Sequence, residues 1–201
     1  MRPIFKALAI LVALGAAVGA LALGPILVRG VSARDEPTRL EAIVARQVRH
    51  LAVPKAARGA QNPVLLTPEA LARARAHFAD HCASCHGNDG KGQTSMGRNL
   101  YPKAPDMTAP DTQDLSDGEL FAIIENGIRL TGMPAWGTPS ADDDAETWEL
   151  VHLIRYLPRI TPGELEEMKA LNPTTRKELE EEEAARRFLA GEAPAPAAHR
   201  H

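Results

Sequence analysis

The segment best equipped for chemistry is HCASCHGNDG, residues 81–90, which contains both cysteines of this 201-residue chain. Cys82 and Cys85 are three positions apart, and His86 follows directly. On a helix-like turn, an i, i+3 spacing puts both sulfur atoms on one face. Two thiols and an imidazole on a single turn are compatible with several chemistries, which the rest of the sequence can distinguish.

A thioredoxin-like redox pair needs alternating strands and helices around the motif, and the sequence has no such pattern. A zinc site needs a second pair of ligands at a usual spacing, and the chain has no further cysteine. A haem-attachment site is complete, because two thiols can bond the vinyl groups while a histidine ligates the iron. A structural cysteine pair without chemistry remains an alternative. The motif favours one covalent haem c, with its iron.

A sixth iron ligand is available downstream in Gly132-Met133-Pro134-Ala135-Trp136. A methionine thioether is a soft, neutral ligand that favours ferrous iron and raises the reduction potential. Ordinary loop packing is the alternative role for Met133. Met96 and Met107, both in a loop rich in glycine and proline, are rival ligands.

Helical patterns surround these motifs. A helix begins with the N-cap Thr67 and leads into Cys82. Another begins at Ser116, with Glu119 completing a capping box, and ends at Gly127. The last helix of this region starts at residues 142–144 and stops at Pro158. No strand pattern is present, so the predicted fold class is all-α.

The N-terminal segment Ala7–Val28 carries no charge. As a helix it extends roughly 30 Å, enough to cross the hydrocarbon core of a bilayer. It predicts a retained transmembrane helix, that is, a signal-anchor. The alternative is a cleaved signal peptide, with residues 31–33 (Val-Ser-Ala) as the cleavage site.

Residues 37–53 predict an amphipathic helix with Pro37 in its first turn. One stripe of this helix is apolar and consists of Leu40, Ile43, Val44, Val48 and Leu51. Next to a membrane span, the stripe could lie on the lipid surface. It could equally pack on the following domain.

Charge and composition divide the chain into four parts. The net charge of −3 argues against nucleic acid as a partner. Residues 1–66 are basic, with nine Lys/Arg against three Asp/Glu, whereas residues 67–162 are acidic, with eight against fourteen. The predicted parts are a membrane segment (1–30), an amphipathic helix and linker (31–66), a haem domain (67–160), and a charged helical tail with a disordered Ala/Pro end (161–201).

Four segments together resemble class I c-type cytochromes: CASCHGNDGKG, YPKAPDMT, GELFAIIENGI and GMPAW. They occur in the order typical of that family, and the resemblance covers about residues 67–160. More narrowly, the chain is similar to membrane-anchored bacterial monohaem cytochromes. The resemblance implies a small cytochrome c fold, with helices packed around one covalently bound haem.

The resemblance also implies the roles of individual residues. Cys82 and Cys85 would form the thioether bonds, with His86 as proximal and Met133 as distal ligand. A proline carbonyl would accept a hydrogen bond from the ring of His86, which fixes the imidazole and raises its basicity.

Further residues would surround the haem. By position, Pro105 is the first candidate for the proline that accepts the bond from His86, and Pro102 is the second. Trp136 would pack on or near the haem, as would Trp148 and Tyr156. Ordinary core packing is the alternative role for these three aromatic residues.

The implied function is that of an electron carrier rather than an enzyme, with no catalytic residues, because two protein ligands leave the iron no open position. Two alternatives remain: a haem subunit of a larger respiratory or oxidative complex, and a small haem peroxidase with an open distal site. The expected partner is a redox protein of the membrane or the periplasm, and no oligomeric state is predicted. The expected location is the bacterial inner membrane, with the haem domain facing the periplasm.

Overall fold

The computed structural model describes residues 2–30, 32–138, 141–174 and 176–190. Within them the chain is entirely helical and contains no β-strand, which confirms the predicted all-α class. The end predicted to be disordered, residues 191–201, lies outside the described residues, as does Val31 of the alternative cleavage site.

The described residues form a series of α-helices joined by loops and short turns. In chain order these are α1 (Arg2–Arg29), α2 (Arg39–Ala52), α3 (Lys55–Arg58), α4 (Pro68–His77), α5 (Ala83–His86), α6 (Pro110–Gln113), α7 (Asp117–Asn126), α8 (Ala141–Tyr156), α9 (Pro162–Ala170) and α10 (Arg176–Leu189). A π-helical turn, Phe78–Cys82, joins α4 to α5, and 3₁₀ turns occupy Gly97–Asn99 and Leu157–Arg159.

α2, α4, α7 and α9 begin where a serine or threonine side chain satisfies one of the first backbone N–H groups. The Thr67 hydroxyl accepts a hydrogen bond from the N–H of Ala70, and the Ser116 hydroxyl accepts one from Glu119. α2 differs from its prediction, because its N-cap is Thr38, which forms a capping box with Glu41. Placing Pro37 in the first turn was therefore wrong: it precedes the N-cap.

The core lies where α4 and α7 pack against α8. Its least exposed large side chains come from the π-helical turn after α4, from α8 and from the turn after α8: Phe78, Val151, Leu153 and Leu157. Met168 of α9 is also fully buried in this cluster, so the packed unit includes the first helix of the tail. Burying each such side chain contributes about 1.5–3 kcal/mol.

α1 is long and apolar enough to cross a membrane, with its candidate span at Pro3–Leu21. None of that span is buried against the rest of the described chain. A signal sequence has the same length and composition, so this helix is compatible with both N-terminal alternatives.

α2 turns its apolar stripe away from the rest of the molecule. The stripe residues Leu40, Ile43, Val44, Val48 and Leu51 are each half exposed or more. Packing of this stripe on the following domain is therefore wrong for the described residues, and contact with a lipid surface stays a prediction.

α3 is fastened to the N-terminus of α7 by an unusually close approach. The Ser116 hydroxyl donates to the Arg58 carbonyl at 2.8 Å. A β-carbon added at Gly118 would lie 1.7 Å from the Ala57 carbonyl oxygen. Only glycine permits this contact, which ties the N-terminal linker to the helices of the core.

We predict that Gly118→Ala destabilises the protein, although alanine normally favours a helix over glycine. The clash with a backbone oxygen should lower the free energy of unfolding by about 1–3 kcal/mol. Gly163→Ala is the matched control, because it also lies in a helix and has no neighbour within 4 Å of the added atom. Denaturant unfolding should show Gly163→Ala to be neutral or up to about 1 kcal/mol stabilising; equal effects of the two changes would contradict the account.

Candidate functional site

The cysteine motif lies at the end of α4, where the helix widens into the π-helical turn Phe78–Cys82 and continues as α5. Phe78 and Ala79 of this turn are buried in the core, at 1% and 0% exposure. Single π-helical turns occur frequently at functional sites. Core packing thus fixes the backbone immediately before the two thiols and the imidazole.

The loop after α5 folds back onto the end of that helix. The N–H of Gly92 donates to the His86 carbonyl at 2.7 Å, and the Thr94 hydroxyl donates to the Cys85 carbonyl at 3.0 Å. These bonds satisfy carbonyls that have no partner within a helix as short as α5. They hold the loop that contains Pro102 and Pro105 close to the motif.

The Met133 loop is fixed to the end of α7 by a network of hydrogen bonds. The N–H of Met133 donates to the Thr131 hydroxyl at 3.1 Å, and the Met133 carbonyl accepts from Ile128 at 3.1 Å. Three residues further on, the N–H of Trp136 donates to the carbonyl of Ile124, also at 3.1 Å. The backbone around Met133 is therefore ordered by α7.

These segments meet around one cavity of about 310 Å³. Cys85 and His86 line it from α5, Pro102 and Pro105 from the following loop, and Met133 from the loop after α7. The structure thus brings together four of the six predicted site residues, including the histidine and the methionine, which are 47 positions apart in the sequence.

The other two predicted site residues do not line this cavity. Cys82 is half buried against the apolar core one turn before Cys85. The Trp136 ring lies edge-on to His81, with centroids 5.6 Å apart, on a second concave surface. The predicted contacts of Cys82 and Trp136 with haem stay predictions.

The remaining candidates lie elsewhere in the structure. Met107 is buried in the core, and Met96 is 53% exposed; neither lines the cavity that Met133 lines. Trp148 stacks on Phe121 within the core, and the Tyr156 hydroxyl donates to Glu164. The core-packing alternative thus describes Trp148 in this structure.

Burial sets the protonation of the motif. It lowers the pKa of His86 to about 4, so the imidazole is neutral at pH 7 and keeps a lone pair for a metal. Burial, and secondarily the charge of Cys85, raises the pKa of Cys82 to about 12. The two thiols are free, with no disulfide between them.

One buried atom of His86 has no partner. Its Nδ1 makes no hydrogen bond in the structure, so the predicted bond to a proline carbonyl is not formed there. A buried polar atom of this kind costs about 1–3 kcal/mol unless it is paired. Pro105 and Pro102 both lie at the cavity, so that bond stays a prediction for the haem-bound protein.

Sequence reasoning missed one whole wall of the cavity. Five residues of α2 line it: Glu41, Ala42, Ala45, Arg46 and Arg49. The available signal was a second stripe opposite the apolar one, made of small and charged residues at helical spacing. The sequence pattern predicts a contact only for the apolar stripe of α2, whereas the opposite face lines the cavity.

Comparison with known families identifies the region. Residues 69–154 match the family model described as cytochrome c oxidase, cbb3-type, subunit III. These residues form a c-type cytochrome domain. No curated protein matches the chain.

The cytochrome domain serves haem-based electron transfer, and its residues fit that group. A neutral buried imidazole, a thioether and a thiol meet at one cavity, and these are iron ligands or points of covalent attachment. Among the described residues, no group of three or more His, Cys, Asp or Glu side chains is arranged to hold a metal ion. The zinc alternative therefore has no such site in this part of the chain.

We predict that Gly127→Ala loosens the Met133 loop. Gly127 has φ +63°, and an added β-carbon would lie 2.7 Å from the Met133 carbonyl oxygen. The strained backbone alone costs about 1–2 kcal/mol. Hydrogen exchange at the N–H groups of Ile128 and Trp136, which hold the loop, should become faster than in the wild type.

The matched control is Gly59→Ala, because Gly59 has an ordinary φ of −90° and nothing within 4 Å of the added atom. It should leave the exchange of both N–H groups unchanged. If Gly127→Ala also leaves them unchanged, the loop does not depend on the close approach at Gly127.

Proposed function

We propose that this protein is a one-electron carrier with a single covalent haem c ligated by His86 and Met133. The observation that carries the proposal is that both residues line one cavity although they come from separate segments of the chain. Cys85 lies at the same cavity, and Cys82, one turn before it, would form the second thioether bond.

The chain's own residues determine how such a haem behaves. When bound, the haem supplies one-electron redox chemistry between ferric and ferrous iron. The neutral His86 imidazole has a ring nitrogen with a free lone pair and needs no deprotonation before it binds iron, and the Met133 thioether favours the ferrous state. With His86 and Met133 both holding the iron, no position would remain for a substrate, and the haem would supply electron transfer only. The protein is then not an enzyme by itself.

A second candidate function is that of a haem subunit in a larger respiratory complex. The description of the matching family, an oxidase subunit, favours it. Both functions use the same site and differ in whether the redox partner is bound permanently. Co-purification from a mild detergent extract distinguishes them, because a subunit stays with its partners through gel filtration and a tethered carrier does not.

The proposed location is the bacterial inner membrane, with the cytochrome domain in the periplasm. α1 would serve as the anchor, and the exposed apolar stripe of α2 would lie on the lipid surface. The redox partner would then be reached by diffusion within the membrane plane. Mass spectrometry of the mature N-terminus tests this location, since a chain that begins at Arg34 has lost its anchor.

The experiment that tests the proposal begins with covalent attachment. The wild-type protein, produced in cells that assemble c-type cytochromes, should retain one haem after denaturation. Changing both Cys82 and Cys85 to Ser should abolish this retention, because no sulfur remains to bond the vinyl groups. Ser84→Ala, between the two cysteines, is the control and should keep the haem. A colourless wild-type protein would contradict the proposal.

The distal ligand is tested by Met133→His and Met133→Ala. Met133→His should keep a low-spin haem and lower the reduction potential, because imidazole is the more basic ligand. Met133→Ala should open the iron to cyanide or carbon monoxide. Met96→Ala and Met107→Ala are the controls and should keep the wild-type absorption spectrum. If Met133→Ala keeps it instead, Met133 is not the ligand.

A further inference from the structure

The wall that α2 contributes to the cavity comes from outside the cytochrome domain. The family match begins at residue 69, whereas α2 ends at Ala52. Its residues nonetheless share the cavity with His86 and Met133. The cavity is therefore not complete without a segment that the family model does not cover.

Polar contacts hold α2 in this place. The Arg46 guanidinium lies 3.1 Å from the Asp111 carboxylate, and His50 lies 3.0 Å from Glu119. The Tyr101 hydroxyl donates to Glu41, which raises the pKa of Tyr101. An exposed ion pair such as Arg46–Asp111 contributes about 0–1 kcal/mol. No side chain of α2 is buried, so little apolar burial adds to these contacts.

Arg49, in this wall, has a buried hydrogen-bond donor without a partner. One of its terminal nitrogens donates to the Asp111 carbonyl at 3.1 Å, but its Nε is buried and has no partner. A guanidinium presents its N–H groups as a fork that suits a carboxylate, with two parallel hydrogen bonds. An anionic oxygen in the cavity would satisfy the buried Nε and retain the bond to Asp111.

Haem is a ligand that brings such oxygens, because it carries two carboxylate side chains on one edge. Ala42 and Ala45, which line the cavity beside Arg49, have side chains of a single methyl group and leave space for a flat ring. The other two charged residues of this wall, Glu41 and Arg46, are already paired with protein side chains. The remaining part, small apolar residues beside Arg49, matches the carboxylate-bearing edge of a haem.

We propose that Arg49 binds a carboxylate of the haem, so that α2 is a wall of the haem site. The inference rests on the proposed function, since it needs haem in this cavity. It gives α2 a role that its exposed apolar stripe does not explain. It also places a positive charge beside the haem, which favours the ferrous form because that form carries one positive charge fewer.

The test compares full-length holoproteins with Arg49→Gln and Arg39→Gln. Arg39 is the matched control, because it is an exposed arginine of the same helix that does not line the cavity. Redox titration should give Arg49→Gln a lower reduction potential than the wild type and leave Arg39→Gln unchanged. Arg49→Lys, which keeps the charge, should recover most of the loss.

Hydrogen exchange of the α2 segment distinguishes binding of the haem by Arg49 from a role in which Arg49 only holds α2 in place. Faster exchange in Arg49→Gln with an unchanged potential would show that Arg49 only holds the helix through Asp111, and the inference would be overturned. It would equally be overturned if Arg49→Gln matched Arg39→Gln in both measurements. A lower potential in Arg49→Gln alone supports it, with or without faster exchange.

Failure of this inference can be told apart from failure of the proposed function. The absorption spectrum of each variant, recorded before the titration, shows whether a haem is covalently bound and low-spin. A normal spectrum with an unchanged potential rejects the role of Arg49 and leaves the function intact. A wild-type protein that lacks covalent haem rejects both.

Discussion

Burial of apolar side chains between α4 and α8 sets the positions of both segments that line the cavity. α4 leads directly into the segment with Cys82, Cys85 and His86. α8 packs on α7, and backbone hydrogen bonds hold the Met133 loop to the end of α7. The large residues at this contact are almost fully buried, and interiors of that kind resist small displacements. Two segments far apart in sequence therefore line one cavity, as a ligand pair for one haem requires.

Much of this arrangement could be predicted from the sequence, because local signals determine it. Thr67 and Ser116 mark helix starts through hydrogen bonds to residues three positions further on. The CxxCH motif places both attachment thiols and the histidine ligand within five consecutive residues. Trp136 shows the limit of such reasoning. Its position three residues after Met133 predicts contact with the haem, but the ring lies edge-on to His81, on another surface, so that contact stays a prediction.

The sequence predicts that α2 is a helix, but not which of its faces contacts the rest of the molecule. Its apolar stripe gave the period correctly, and the usual rule turns such a stripe toward the core. In the structure the stripe is exposed, and polar contacts to Asp111 and Glu119 hold the opposite face against the cavity. Contacts between residues more than 60 positions apart leave no periodic trace in the sequence. The same helix thus presents small and charged side chains to the proposed haem and an apolar surface to the outside, where the proposed membrane lies.

The central claim is that one haem is held between His86 and Met133. Near-infrared magnetic circular dichroism of the ferric wild-type protein tests it most directly, because the energy of the ligand-to-iron transition identifies the axial pair in a low-spin haem. The account predicts the signature of histidine and methionine ligation in the full-length protein. A five-coordinate high-spin haem, or the signature of two nitrogen ligands, would contradict it.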